Sequence, residues 1–253
     1  MKTISRLVHQ PRNMGDFSAA ALGPLVLVNR QHPLQSGFSA LLTPPDEQFP
    51  HILLETQAAR MLAACLQEVG AQGHIVPVSG WRSHKEQQAI WDDTLAREGE
   101  AFTRTYVAVP GCSEHETGLA IDLAQAAETI DFIRPELPYN GICGDFRRAA
   151  SRYGFVERYR AHKTNLTGIG AEPWHFRYVG VPHAQYMEAH DLCLEEYLAL
   201  LADRPLTWTL QNGRRVTVRR VTDPQALPPA AGPRQVSGDN LGGFVVTDWE
   251  AAL

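Results

Sequence analysis

The chain has 253 residues, 44% of them hydrophobic and 20% charged, with a formal net charge of −5. That is enough apolar material for one large core, or one core and a small appendage. The mild acidity excludes a general nucleic-acid binder, and no run of 18 apolar residues exists to cross a membrane.

The opening stretch, MKTISRLVHQPRNMG, carries early cations but no apolar run of the kind an export signal needs. The expected compartment is therefore the cytoplasm. Cys65, Cys112, Cys143 and Cys193 are scattered and form no CxxC pair. They read as reduced, mostly buried thiols.

In chain order, residues 1–50 are rich in Pro, Gly and Asn and read as a segment that wraps the domain, with one short strand expected at PLVLVN (24–29). A helix is expected over 56–69, capped by Thr56, with Met61, Leu62, Cys65, Leu66 and Val69 on one face and Gly70 as its stop. HIVPVSG (74–80) reads as a strand. SHKE (83–86) has the spacing of a capping box, so a helix starts at 84 and runs to about 97. LAIDLA (119–124) is a strand candidate, and 145–153 a helix halted by Gly154. WHFRYVG (174–180) alternates with the period of a strand. Residues 183–202 read as one last helix, with Met187, Leu194, Leu198 and Leu201 on a stripe. Beyond Pro205 the character changes to β. Asn212-Gly213 signals a two-residue hairpin turn, and a Pro-rich link (224–233) leads to GGFVVTDW. The expected division is a catalytic domain over 1–204 and a small β-rich appendage over 205–253. Arg214, Arg215, Arg219 and Arg220 of that appendage fit either an anionic polymer or a plain solvated strand face.

Two motifs carry chemistry. SEHETGLAID (113–122) holds His115 and Asp122 seven apart. On an unbroken strand they would face opposite ways, so a bend at Thr117-Gly118 is needed to bring both to one point. EPWH (172–175) holds Glu172 and His175, with Pro173 placing Glu172 before the strand and His175 within it. If these segments meet, two histidines and one aspartate form a three-ligand set that leaves a fourth position for water, as in catalytic zinc sites. Glu172 would then move protons, and Arg82, on the turn after strand 74–80, would stabilise an oxyanion. Each motif alone fits a plainer reading: His115 and Asp122 as loop residues, Arg82 as a surface or salt-bridged arginine. Cys112 reads as a structural thiol rather than a nucleophile. His74, His84, His162, His183 and His190 read as solvated or satisfied by neighbours.

Taken together, SEHETGLAID, EPWH and SGWRSHKEQ (79–87), with LVLVNRQHPL and YVAVPG, resemble the zinc D-alanyl-D-alanine carboxypeptidase family, the VanY and VanXY group linked to glycopeptide resistance. The resemblance runs over roughly residues 24–200, and departs in having Trp81 where Tyr is commoner. It implies an α+β fold of the hedgehog/DD-peptidase kind, a central antiparallel sheet flanked by helices. It implies zinc held by His115, Asp122 and His175, with Glu172 as catalytic base and Arg82 polarising the scissile carbonyl. Gln87, Tyr106 and Ser113 would hold the terminal D-alanine carboxylate of a peptidoglycan precursor ending in D-Ala-D-Ala. Two other readings share the motifs: an L,D-carboxypeptidase or peptidoglycan endopeptidase of the same fold, and a zinc-containing binding module without activity.

Overall fold

The structure is a computed structural model that describes residues 23–35, 39–210, 212–223, 227 and 229–250. Half of the expected wrapping segment 1–50, residues 1–22 and 36–38, and residues 224–226 and 228 of the expected link 224–233 lie outside the described residues. Contacts divide the chain into two units, Leu27–Leu200 and a second made of residues up to Val26 with those from Leu201 onward.

The larger unit opens with a short strand pair, β1 (Leu42–Thr43) and β2 (Leu54–Glu55), followed by helix α1 (Thr56–Glu68). Strand β3 (Ile75–Ser79) leads into α2 (His84–Glu98) and α3 (Glu100–Tyr106). Then come β4 (Ala120–Gln125), α4 (Gly141–Ala150), β5 (Phe155–Tyr159), α5 (Thr164–Thr167) and β6 (Glu172–Tyr178). Helices α6 (Val181–Ala189) and α7 (Leu194–Asp203) follow. Strands β3, β4, β6 and β5 form, in that order, a four-stranded antiparallel sheet. Because neighbours across an antiparallel ladder share a face, the Ile121–Phe176 pair projects to one side and the Asp122–His175 pair to the other. On the first side Phe176 meets Phe146 of α4 edge-on, with ring centroids 5.0 Å apart, and α1, whose Met61, Leu62, Cys65 and Leu66 are buried, packs against α4. Helices α1 and α4 therefore lie on one face, and Asp122 and His175 project from the opposite one.

The α+β architecture with its central antiparallel sheet and flanking helices is as expected; four local expectations differ. PLVLVN buries Leu25, Val26, Leu27 and Val28 but takes no strand among the described residues, where an isolated bridge joins Asn29 to His32. Thr56 does not cap α1. Its hydroxyl donates to the Leu41 carbonyl at 2.9 Å, and the Glu55 carboxylate accepts from Gln57 N (2.8 Å) and Ala58 N (3.0 Å) instead. The apolar stripe of 183–202 is real but belongs to two helices. Asp191 takes φ +50° between them, and Glu196 accepts from Cys193 N to start α7. Finally, the hairpin at Asn212-Gly213 is not a two-residue turn. Gly213 N donates to Leu210 O, and Leu210 N donates to Arg214 O, with Gly213 at φ +81°. The connection between the two strands is therefore longer than two residues, with a left-handed glycine at its end.

This hairpin joins β7 (Leu206–Thr209) to β8 (Arg215–Val221) in the second unit, whose sheet is completed by β9 (Arg234–Gly238) and β10 (Phe244–Trp249) in the order β7-β8-β10-β9. Its arginines face acids: Arg215 meets Glu250, Arg219 and Arg234 meet Asp248, and Arg220 meets the buried Asp239. Arg214 lies over the Trp249 ring at 4.5 Å. The charge that might draw an anionic polymer is largely neutralised within the sheet.

One buried group of the larger unit sets an acid limit. His183 of α6 is 3% exposed, its Nδ1 lies 2.8 Å from Tyr197 Oη of α7, and burial pushes its pKa down to about 3. It is neutral in the fold but takes up a proton in the unfolded chain below about pH 6.5. Between roughly pH 6.5 and 3 the unfolded state binds more protons, so stability falls as pH falls through that window. Denaturant unfolding of wild type and His183→Gln at pH 7 and pH 4 should show the wild type losing on the order of 2 kcal/mol more than the variant.

Candidate active site

The site forms on the face of the sheet opposite α1 and α4. β4 and β6 place Asp122 directly opposite His175, and β3 places Ser79 opposite Asp122 on the other side. His115 comes from outside the sheet. It sits in a 3-10 turn, Glu114–Thr117, that ends at Gly118 with φ +72°. A Cβ at Gly118 would lie 3.0 Å from Leu42 Cδ2 and 3.1 Å from Glu55 N, so glycine is needed for both conformation and space. This is the bend that the seven-residue spacing requires. Arg82 N donates to the His115 carbonyl at 3.2 Å, which fixes the turn against the end of β3.

The three side chains converge. His115 Nε2 is 3.2 Å from Asp122 Oδ2, and His175 Nδ1 is 2.9 Å from Asp122 Oδ1. One ligand atom from each lies within 4.8 Å of the others, and all three residues are buried. Tetrahedral zinc with ligands near 2.0–2.2 Å sets ligand-to-ligand edges of about 3.3 Å, which the two measured distances approach. The remaining ring nitrogens are already engaged: His115 Nδ1 with Gly80 O at 2.7 Å, and His175 Nε2 with Glu114 Oε2 at 3.5 Å. The nitrogens facing Asp122 are thus the ones free to bind a metal. The donor set, two imidazoles and one carboxylate, fits a divalent transition metal better than an oxygen-loving ion.

Glu172 reaches the same point through an irregularity. The β5–β6 register shifts between Glu157 and Tyr159, so Tyr159 opposes Glu172 while Glu157 opposes Phe176. This bulge turns Glu172 toward His175, with Oε2 3.8 Å from Nδ1. Glu172 is the first residue of β6 rather than preceding it. Burial lifts its carboxyl to about 8, although His175 and Arg82 pull the other way. For His175, burial acts downward, but the hydrogen bonds to Asp122 and Glu114 prevail and lift it to about 9. Burial and the Arg82 charge hold His115 down at about 4. Burial opposes ionisation of Asp122, but the two imidazoles hold its carboxyl far below the usual range.

Arg82 is held at every nitrogen: Nε on Ser79 Oγ (2.9 Å), Nη1 on Gln87 Oε1 (3.2 Å) and Nη2 on Asp122 Oδ2 (3.1 Å). Its remaining N–H groups face a cavity whose walls include Tyr106, Ser113, Phe132, Ile133, Tyr159 and Trp174. Tyr106 and Ser113 thus line the same cavity as Arg82 and the three converging side chains. Gln87 does not. It is fully buried behind Arg82, and its amide nitrogen donates to Ala108 O at 2.8 Å. Burial and the nearby Glu116 raise the Cys112 thiol pKa, which disfavours its thiolate. Three of the other histidines are engaged elsewhere, His84 with Glu116, His162 with Asp191 and His183 with Tyr197.

Sequence reasoning missed Tyr159, whose ring lies 4.8 Å from that of His175, and the apolar wall of Phe132 and Ile133 from the long β4–α4 connection. It also missed Glu114, although that residue adjoins His115. No spacing rule selects these residues, since their partners come from distant elements.

Comparison with known proteins agrees with this geometry. The family described as VanY: D-alanyl-D-alanine carboxypeptidase matches residues 51–181. The bifunctional D-Ala-D-Ala dipeptidase and D-Ala-D-Ala carboxypeptidase VanXYC of Enterococcus gallinarum is 37% identical over 185 residues, 72% of this chain and 96% of the relative. The crystal structure of the vancomycin resistance D,D-dipeptidase VanXYg, in complex with a D-Ala-D-Ala phosphinate analog, is 43% identical and superposes with a TM-score of 0.87, covering 92% of this chain and 96% of that one. The vancomycin resistance D,D-pentapeptidase VanY from a VanB-type cassette, in complex with Zn(II), is 32% identical with a TM-score of 0.60, covering 69% of this chain and 98% of that one. Likeness of this extent, over the segment that supplies every residue of the pocket, makes the chain a member of the VanY family of D-alanyl-D-alanine carboxypeptidases, which are hydrolytic peptidases.

Proposed function

We propose that the protein is a zinc peptidase that hydrolyses the C-terminal D-Ala-D-Ala bond of peptidoglycan precursors, as a D,D-carboxypeptidase, a D,D-dipeptidase or both. The observation that carries this reading is the meeting of His115 Nε2, the Asp122 carboxylate and His175 Nδ1, with Glu172 Oε2 3.8 Å away. All of these residues belong to the Leu27–Leu200 unit.

His115, Asp122 and His175 would hold zinc, whose Lewis acidity lowers the pKa of water toward about 7 and polarises a carbonyl. Glu172 takes the proton from the attacking water and returns it to the departing amine. The peptide C–N bond breaks, a C–O bond forms, and the products are a carboxylate and free D-alanine. Burial keeps the Glu172 carboxyl up at about 8 against the pull of His175 and Arg82, which brings its titration into the range a proton shuttle uses. Arg82 enters the site already oriented by Ser79, Gln87 and Asp122, so it meets the developing oxyanion without reorganising. Tyr106 and Ser113 are placed to hold the terminal carboxylate, while Gln87 serves from behind by bracing Arg82.

No helix among the described residues is long and apolar enough to cross a membrane. The compartment we propose is the cytoplasm, where the substrate would be D-Ala-D-Ala itself or a nucleotide-linked pentapeptide. Two catalytic side chains beside the metal cluster, Glu172 and Arg82, favour an enzyme over a binding module, since a purely structural zinc needs neither.

Glu172→Ala should keep its metal and lose about 10²–10⁴-fold in kcat; a zinc-loaded variant with full activity would exclude this mechanism. Arg82→Ala should lose about 10²–10³-fold in kcat on D-Ala-D-Ala, and undiminished turnover would remove Arg82 from the reaction. Released D-alanine, measured from D-Ala-D-Ala, pentapeptide and tetrapeptide, separates the activities. Release from the first two supports the D,D reading, release from the tetrapeptide alone the L,D reading, and release from none the binding module.

A further inference from the structure

Behind the proposed metal ligands lies a set of charges that hydrolysis itself does not use. Glu114 has a fully buried side chain, and an unpaired carboxylate there would be costly. Its Oε1 accepts from Arg158 Nε at 2.9 Å and pairs with Arg177 Nη1 at 2.7 Å. Arg158, itself 1% exposed, is gripped by both carboxylate oxygens of Glu195 on α7, at 2.9 and 2.7 Å. Two carboxylates and two guanidiniums balance one another, so the set needs nothing further to be neutral. Yet Glu114 Oε2 is left out of both arginine contacts and lies 3.5 Å from His175 Nε2.

That direction matters because a neutral imidazole has one donor and one acceptor nitrogen. Once the Asp122 carboxylate and Nδ1 are both drawn to a metal, the Glu114 carboxylate facing Nε2 keeps the proton there. The lone pair is then on Nδ1, the nitrogen that faces Asp122 at 2.9 Å and Glu172 at 3.8 Å. His115 is backed differently, by the neutral Gly80 carbonyl at 2.7 Å. Carboxylate backing makes an imidazole a stronger electron donor than carbonyl backing does, and it fixes the ring plane. The Tyr159 ring, 4.8 Å from that of His175, limits tilt from another side.

We propose that Glu114 is a positioning residue that fixes His175 in its metal-binding tautomer, and that Glu195, acting through Arg158, holds Glu114 in that role. The proposal rests on His175 being a metal ligand, as argued above. A residue on α7 with no contact to the metal cluster thereby governs how tightly the metal is held.

The test is zinc affinity of the metal-free full chain, measured by competition with a chromophoric chelator, together with the visible spectrum of the cobalt-substituted protein and the melting temperature of each metal-free variant. Glu114→Gln should lower zinc affinity about 10–100-fold and shift the cobalt bands. Glu195→Gln should lower affinity less, in the same direction. Because Glu114→Gln removes the carboxylate that Arg158 and Arg177 share, the charge-balanced Glu114→Gln/Arg177→Met pair is measured beside it, and it should show the same loss. A folded Glu114→Gln or double variant with wild-type zinc affinity and an unshifted cobalt spectrum, whatever its melting temperature, overturns the proposal. A loss in Glu114→Gln with none in Glu195→Gln overturns the part assigned to α7. A wild-type chain that binds no zinc defeats the metal reading itself, and this inference with it, whereas equal binding by wild type and Glu114→Gln defeats this inference alone.

Discussion

The structure depends on one cross-strand pair. Asp122 and His175 face each other across β4 and β6, and that register brings an imidazole nitrogen and a carboxylate oxygen to 2.9 Å on the face of the sheet opposite α1 and α4. A slip of one residue in either strand would turn one of the two into the α4-covered core and leave its polar group buried among Phe146 and Phe176. The apolar partners Ile121 and Phe176, each packed to within 1% exposure, therefore lock the position of the chemistry. Hydrophobic packing on one face is what sets the site on the other.

The rest of the pocket is attached to this pair by irregularities. Gly118 bends His115 back over the sheet, and the bulge between Glu157 and Tyr159 rotates Glu172 toward the same point. Arg82 is braced at three nitrogens. Each device costs backbone regularity or buries charge, and each is used where a catalytic group has to be preorganised. The buried charges are matched rather than isolated, which keeps their desolvation tolerable.

The sequence made much of this legible for identifiable reasons. Local signals acted locally: the capping box at Ser83 and Glu86 starts α2 where its spacing says, and the alternation of 174–178 is a strand. The need for a bend between His115 and Asp122 followed from the period of a strand alone. The misreadings share a cause, since they depended on partners that sequence does not display. Thr56 was outcompeted as a cap by Glu55 because its hydroxyl found the Leu41 carbonyl. Gln87 sits in the expected segment, but its burial behind Arg82 emerges only when α2 docks near Ala108. Glu114, Arg158 and Glu195 form their chain across three elements far apart in sequence, and no motif joins them.

The most direct test of the account is anomalous diffraction at the zinc edge from crystals of the zinc-loaded protein. One peak is expected, about 2.0–2.2 Å from His115 Nε2, an Asp122 carboxylate oxygen and His175 Nδ1. A peak bound through any other residues, or no peak at a position these three can share, would contradict it.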